Sequence, residues 1–207
     1  MEKKGISDAT REAILDAAWE LVVRQGRLDV AQAEIAAAAG VSRQSLYLAF
    51  GSRAGLWTAM TQHHDAGAPQ IARLQMLGTR PRPDWQTLED FIATWCDYLP
   101  VIYPVAVLLD AAAITDKEAA AAWDDRMKGA LLRGFKGLCK ALEEAGGLAP
   151  GWNYRNAAQL CWSLVHLASY RLLVVECGWS REAFLASRLQ LLRATLKAPA
   201  DAGAQMP

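Results

Sequence analysis

The apolar positions of the chain fall into stretches with helical spacing, punctuated by glycine, proline and cap residues. Ile14, Leu15, Ala18, Leu21 and Val22 make the first stripe, with Ser7, Asp8 and Thr10 as alternative N-caps before it and Gly26 closing it. An alanine-rich helix is expected from about Ala31 to Ala39, anchored by Ile35, with Gly40 able to turn in the left-handed region. Ser42 then caps a short third helix that begins at Arg43. Gly51 and Ser52 end it, and Ser52 caps a fourth helix from Arg53. Leu56, Met60, Ile71, Leu74 and Leu77 carry the period of this fourth helix to about residue 77, with a kink or break expected at Gly67 and Pro69.

Beyond a loop at 78–84, "GTRPRPD", helices are predicted near Trp85 to Leu99, Val101 to Ile114, Lys117 to Ala145, Tyr154 to Cys177 and Ser180 to Leu196. Pro100 and Pro104, "GGLAPG" at 146–151 and "GWS" at 178–180 mark the junctions. That pattern predicts an all-α chain of about nine helices, since alternating β-branched runs bounded by turns are hard to find. The expected division is a three-helix domain at 1–52 and a larger helical domain at 53–198, whose first part, 53–78, is a linking helix. A disordered tail is expected at 199–207.

Charge changes this picture only locally. The 207 residues carry 22 Lys plus Arg and 22 Asp plus Glu, which excludes a globally basic nucleic-acid binder but not a local patch, because counterion release depends on the charges that meet phosphate. Between Gly40 and Met60 the charged residues are Arg43 and Arg53 alone. Four dispersed cysteines without a C-x-x-C pair suit a reduced compartment better than a disulfide frame or a zinc site. The N-terminus lacks the apolar segment of a signal peptide. The longest apolar run is interrupted by His166, Arg171 and Glu176, so a membrane span is not expected. These features predict a soluble, cytoplasmic protein.

"AGVSRQSLYLAFGSRAGL", residues 39–56, carries the chemistry. Two short helices joined at a glycine, the second with a polar start, are the sequence form of a helix-turn-helix. Ala36 lies where the helices cross and must be small. Val41 and Leu46 fill the space beneath the turn, and Ile35 holds the pair to the first helix. Arg43, Gln44 and Tyr47 are then left facing outward. The N-terminal end of a recognition helix enters the major groove, where Arg pairs with guanine and Gln with adenine, so Arg43 and Gln44 are the expected base readers. Ser42, Ser45 and Tyr47 supply hydroxyls for phosphate, and Arg53 with the free N–H groups of the fourth helix supplies another contact.

"TREAILDAAWELVVRQG" followed by "EIAAAAGVSRQSLYLAFGSRAGLW" resembles the N-terminal domain of the TetR family of bacterial transcriptional regulators, over roughly residues 10–60. The resemblance implies a three-helix DNA-binding domain, a linking fourth helix and a larger helical domain that binds an effector and dimerises. By position it supports base contacts from Arg43 and Gln44 and phosphate contacts from Ser45, Tyr47 and Arg53. Val30 and Ala31 depart from it, standing where many members have Thr or Ser. The usual hydroxyl cap of the second helix is therefore absent. Gln32 replaces a common apolar residue, and Ala49 a frequent His or Tyr.

The remaining residues argue for themselves. The stretch from Tyr154 to Cys177 is apolar on nearly all sides and needs covering on two faces, and the last helix adds Phe184, Leu185, Leu189 and Leu192. Two such helices per chain would pair into a four-helix homodimer interface. Trp95, Tyr98, Tyr103, Trp123, Met127, Trp162, His166 and Tyr170 are the candidate lining of an effector pocket, with an apolar or aromatic compound favoured. His63, His64 and Asp65 are neighbours that point to different sides of a helix, so no metal is expected. Asp116, Lys117, Glu118, Asp124, Asp125 and Arg126 read as a solvated face. No cofactor motif and no catalytic constellation at convincing spacing is found.

The function expected is a homodimeric DNA-binding regulator, a repressor released from a near-palindromic operator by a small molecule. A helical regulator controlled by a protein partner, or a helical enzyme with an unrecognised site, are the alternatives.

Overall fold

A computed structural model describes residues 6–198. Among them the structure is helical apart from one isolated bridge between Leu148 and Lys197. The helices are α1 (Asp8–Gln25), α2 (Gln32–Ala38), α3 (Arg43–Phe50), α4 (Arg53–Ala66), α5 (Pro69–Gly78), α6 (Trp85–Ala112), α7 (Lys117–Asp124), α8 (Arg133–Glu144), α9 (Tyr154–Leu164), α10 (Leu167–Tyr170) and α11 (Arg181–Leu196). π-Helical stretches at Asp125–Leu132 and Arg171–Glu176 continue α7 into α8 and extend α10. Joined wherever helical geometry runs on, these segments make ten rods among the described residues, or nine when α9 and α10 are counted as one across the kink at Val165 and His166. The tail expected to be disordered lies outside the described residues.

Nine rods were expected, but two boundaries exchange places. The fourth helix ends at Ala66 and α5 starts at Pro69, so Gly67 and Pro69 give a full break. Conversely, Pro100 and Pro104 do not divide α6. Each proline deprives the carbonyl four residues earlier, those of Cys96 and Pro100, of its helical partner. Leu99, Ile102 and Val105 are fully packed around these positions, and that burial holds the helix through the lost bonds. The expected helix from Tyr154 to Cys177 is also broken: Val165 leaves helical geometry, and His166, extended, caps α10 by accepting the Ala168 N–H on Nδ1 at 3.2 Å.

The chain forms two compact units that do not follow the expected boundary at 52/53. The first comprises residues 1–68 and 102–126, and the second residues 69–101 and 127–207. The division inside α6 therefore falls between its two prolines.

In the first unit, Ser7 caps α1 by accepting the Thr10 N–H at 3.2 Å, and Gly26 ends it at φ 61°. The buried face of α1, Ile14 to Val22, packs with Ile35, Ala36, Leu46, Leu56, Trp57 and Met60 from α2, α3 and α4. α2 starts at Ala31 with no side-chain cap, as the missing hydroxyl implied. Its end is tied down by backbone instead. Gly40 sits at φ 67°, the Val41 N–H reaches the Ala36 carbonyl at 2.9 Å and the Gly40 N–H the Ala37 carbonyl at 3.2 Å.

In the second unit, Leu88, Phe91, Ile92, Trp95 and Leu99 of α6 are buried, as are Phe135, Leu138, Cys139 and Leu142 of α8. Ala157, Ala158 and Cys161 line the buried side of α9, and their small volume lets α8 and α9 approach closely. Phe91 meets Phe135 edge to face at 5.1 Å. Trp85 Nε1 donates to the Gly147 carbonyl at 3.0 Å, and Trp95 Nε1 to the Val165 carbonyl at 3.0 Å, which satisfies one of the carbonyls freed by the break in α9. Arg193 of α11 holds Glu89 of α6 with two hydrogen bonds of 2.6 and 2.5 Å.

Candidate functional site

The recognition surface is built by α3. Ser42, extended at φ −81°, accepts the Ser45 N–H on Oγ at 3.0 Å, and the two hydroxyl oxygens lie 2.9 Å apart. Leu46 and Phe50 are the buried residues of the helix, which turns Arg43, Gln44, Tyr47 and Leu48 outward. Tyr47 is 63% exposed and Leu48 66%. The first turn of α3 has no acidic residue, so its unpaired N–H groups and Arg43 present one sign of charge.

The other end of α3 is locked. Arg11 of α1 donates to the Ala49 carbonyl at 2.9 Å and lies over the Phe50 ring at 4.4 Å, satisfying a C-terminal carbonyl and fixing the helix to α1. The Ser52 hydroxyl accepts the Gly55 N–H at 3.0 Å and so starts α4. A Cβ at position 55 would lie 2.1 Å from the Phe50 carbonyl oxygen, so only glycine fits this tight passage from α3 to α4. The aim of the recognition helix is thus set by Arg11 at one contact and Gly55 at another. Neither residue announced itself in the sequence.

The six expected DNA-binding residues share this corner but are not equally available. Arg43, Gln44 and Tyr47 project freely, while Ser42 and Ser45 spend their hydroxyls on the helix cap. Arg53 departs from expectation. Its Nη2 lies 2.5 Å from Asp116 Oδ2 and its Nε 3.5 Å from Glu118 of α7, and its guanidinium stacks over Trp57 at 4.5 Å. In this conformation Arg53 is neutralised by carboxylates and is not presented to phosphate. Leu48 was missed, although its position was legible: residues 43, 44, 47 and 48 share one face of a helix whose opposite side carries Leu46.

The segment expected to be a solvated face is so at Lys117, Asp124 and Asp125, but Asp116, Glu118 and Arg126 are structural. Asp116 caps α7 by accepting the Glu118 and Ala119 N–H groups at 2.8 and 3.3 Å while it holds Arg53. Arg126 is nearly fully buried and pairs with Asp65 at 2.6 Å. His63 and His64 diverge as expected: His63 meets Asp16 at 2.9 Å, and His64 stacks on Trp19 of α1 with ring centroids 3.6 Å apart. Burial lowers the His64 pKa, with Arg126 and His63 adding to the shift and Asp65 and Asp16 opposing it.

The eight candidate effector residues divide between the two units. Tyr103 and Trp123 belong to the first unit, where Trp123 Nε1 donates to Asp110 at 2.8 Å. In the second unit Trp95, Tyr98, Met127 and Tyr170 are core, with Trp95 against Tyr98 at 6.2 Å. Trp162 and His166 are half-buried and meet edge to face at 5.3 Å. An open cleft of about 330 Å³ between α1 and α4, lined by Asp8, Arg11, Glu12, Gln62 and His63 among others, includes none of the eight.

Residues 14–60 match the profile of the bacterial regulatory proteins of the tetR family, a span that covers α2, α3 and most of α1 and α4. The chain carries a TetR-family DNA-binding domain. Solved structures of similar fold include NalD of Pseudomonas aeruginosa, the secondary repressor of the MexAB-OprM multidrug efflux pump. It is 23% identical, with 92% of this chain and 96% of that one covered and a TM-score of 0.68. SmeT, the repressor of the Stenotrophomonas maltophilia multidrug efflux pump SmeDEF, is 20% identical over 97% of this chain and 96% of that one, with a TM-score of 0.69. The SmeT–triclosan complex reaches a TM-score of 0.72 at 18% identity, over 97% of this chain and 100% of that one. No curated protein matches the chain. The chain thus shares its fold with these repressors along nearly its whole length, while its sequence match is confined to the DNA-binding domain.

Proposed function

We propose that the protein is a homodimeric transcriptional repressor that reads a near-palindromic operator through α3 and leaves it when a small apolar or aromatic molecule enters the second unit. The observation that carries the DNA-binding half is the single outward face of α3, where Arg43, Gln44, Tyr47 and Leu48 stand together and exposed, with no partner demanding them among the described residues. Arg43 and Gln44, on the first turn, suit guanine and adenine edges, the exposed Leu48 suits a thymine methyl, and Tyr47 suits phosphate.

Dimerisation is supported by apolar surface that a monomer leaves uncovered. Leu172 and Val175 before the last connection, Trp179 within it and Leu191 on α11 are exposed. The most apolar window of Tyr154–Glu176 is only 28% buried. A second copy would cover this face and set two recognition helices one DNA turn apart. Effector control is supported by the likeness to SmeT, solved with triclosan, and by the aromatic content of the second unit. Release is a linkage: the effector shifts the DNA-competent population only by its differential affinity for the two conformers.

The test is selection of bound duplexes from a random DNA pool at near-physiological salt, with the Arg43→Ala, Gln44→Ala double variant in parallel and sedimentation of both proteins. A palindromic motif enriched by a dimeric parent and lost by the variant is expected. A folded dimer that enriches no motif would refute the operator reading.

A further inference from the structure

Two arginines among the described residues are buried, Arg126 and Arg188. Arg126 pairs with Asp65. Arg188 of α11 is 8% exposed, and no carboxylate among the described residues pairs with it. Its Nε donates to the neighbouring Ser187 hydroxyl at 3.2 Å, its Nη1 makes a long 3.5 Å contact to the Leu164 carbonyl, and its guanidinium lies over the Phe184 ring at 5.0 Å. All of these residues belong to the second unit. Burial pulls the guanidinium pKa down, and the facing titratable group is the Cys96 thiol of α6, itself pushed up to about 12 by burial. That thiol is neutral at physiological pH and supplies no counter-charge.

A buried guanidinium without a counter-charge is an unfavourable arrangement, and an anion supplied from outside would relieve it. The surroundings define that charge. Leu164, Phe184 and Cys96 are apolar or neutral, so the rest of the bound molecule must be apolar. One guanidinium fork neutralises one negative charge and matches a carboxylate with two parallel hydrogen bonds. A phosphate dianion would leave a second charge unmatched. Arg188 also stands at the break of the α9 rod, since the carbonyl it touches is that of Leu164, the last residue of α9. In the same last turn Trp162 Nε1 is buried with no hydrogen-bond partner, a second donor left without an acceptor.

We infer that Arg188 is the anion-recognising group of the second unit, and that the effector is an apolar molecule carrying a single carboxylate. This inference rests on the reading that the second unit takes an effector, and it narrows the chemical class of that effector. A carboxylate on Arg188 would draw the guanidinium from the Leu164 carbonyl and so act on the discontinuity between α9 and α10.

The test compares charged and neutral probes of one shape, decanoate with decanol and 1-naphthoate with 1-naphthamide, on the full chain and on Arg188→Met and Arg188→Lys. Met removes charge and keeps an unbranched side chain; Lys keeps charge and loses the fork. Thermal unfolding midpoint and release of the selected operator are read together. The expected result is that at least one carboxylate raises the parent's midpoint and releases operator at a concentration at least tenfold below its neutral counterpart. Arg188→Met loses that preference and Arg188→Lys keeps part of it. Without probe, Arg188→Met is expected to be at least as stable as the parent. Equal action of charged and neutral probes on the parent overturns the inference while leaving effector control standing, and so does a preference retained in Arg188→Met. No response to any probe also overturns it. If the parent ignores the probes and Arg188→Met changes the dimer equilibrium instead, the counter-charge is a carboxylate of the second copy and the inference is wrong. Thermal unfolding reads Arg188 without DNA, so failure to find an operator defeats the repressor reading separately.

Discussion

Arg53 at the start of α4 is held by Asp116 at the start of α7, Nη2 to Oδ2 at 2.5 Å, although it stands at a position where the family resemblance implies a phosphate contact. The two roles exclude each other, because a guanidinium engaged by two carboxylates and an indole ring has lost its attraction for a third anion. Asp116→Asn keeps an acceptor for the α7 cap while removing charge. It is expected to tighten operator binding by up to about fivefold, in line with the ~0.2–1 kcal/mol of a part-exposed pair. Adding Arg53→Ala should abolish the gain. The measurement is operator affinity across a salt series, and unchanged affinity in Asp116→Asn would mean that Arg53 never reaches phosphate.

Base reading and methyl reading separate on α3. Arg43→Ala is expected to lose about 1–3 kcal/mol of discrimination at one base pair per half-site while binding other sequences as before. Leu48→Ala should instead relax a preference for thymine, because only the apolar contact with the C5-methyl is removed. Both are read by repeating the duplex selection with each variant. A uniform loss across all sequences in either case would place that residue on the backbone.

Much of this was written in local signals. The caps Ser7, Ser42 and Ser52, the turn at Gly40 and the outward face of α3 follow from residues within a turn or two of one another, which is the range over which periodicity and capping act. What was not legible is long-range. Nothing near Pro100 says that packing of Leu99 and Ile102 will carry the helix onward, and nothing near Asp116 says that Arg53, 63 residues earlier, will lie against it. Local charge reading therefore took for a solvated face a segment in which Asp116 and Glu118 hold Arg53 and the buried Arg126 pairs with Asp65. The eight aromatic and polar candidates divide between the two units, and their spacing along the chain cannot say which unit each joins.

The passage from α3 to α4 gives a stability prediction with an internal control. Gly55→Ala forces a methyl to within 2.1 Å of a backbone carbonyl that cannot rotate away, so α3 must shift or the turn must open. A loss of about 1–3 kcal/mol is expected. At Gly137, inside α8, a methyl would find no neighbouring atom within 4 Å, and Gly137→Ala should stabilise by up to ~1 kcal/mol through helix propensity. Urea unfolding midpoints at constant slope check both. Equal effects would show that the α3–α4 turn yields freely. Operator affinity should fall in Gly55→Ala alone, because only that change disturbs the aim of the recognition helix.

His64 makes the first unit sensitive to acid. Its ring lies flat on Trp19, joining α4 to α1, and its buried Nε2 has no hydrogen-bond partner. Burial lowers its pKa below the ordinary 6.5, so the unfolded chain binds the proton more readily than the folded one. Stability is then complete above pH 6.5 and declines as the pH falls from 6.5 toward the lowered folded value, where the proton must be taken up into the stack. His64→Phe keeps a ring on Trp19 and removes the titration. Its thermal midpoint should fall less than the parent's between about pH 7.5 and about pH 5.5, a window that brackets the ordinary histidine pKa, with the two proteins closest in behaviour at the upper end. Parallel curves would show that His64 is not the source of the acid sensitivity. Because α1 also carries Arg11, which holds the end of α3, loosening of the α1–α4 stack at low pH is expected to weaken operator binding before the protein unfolds.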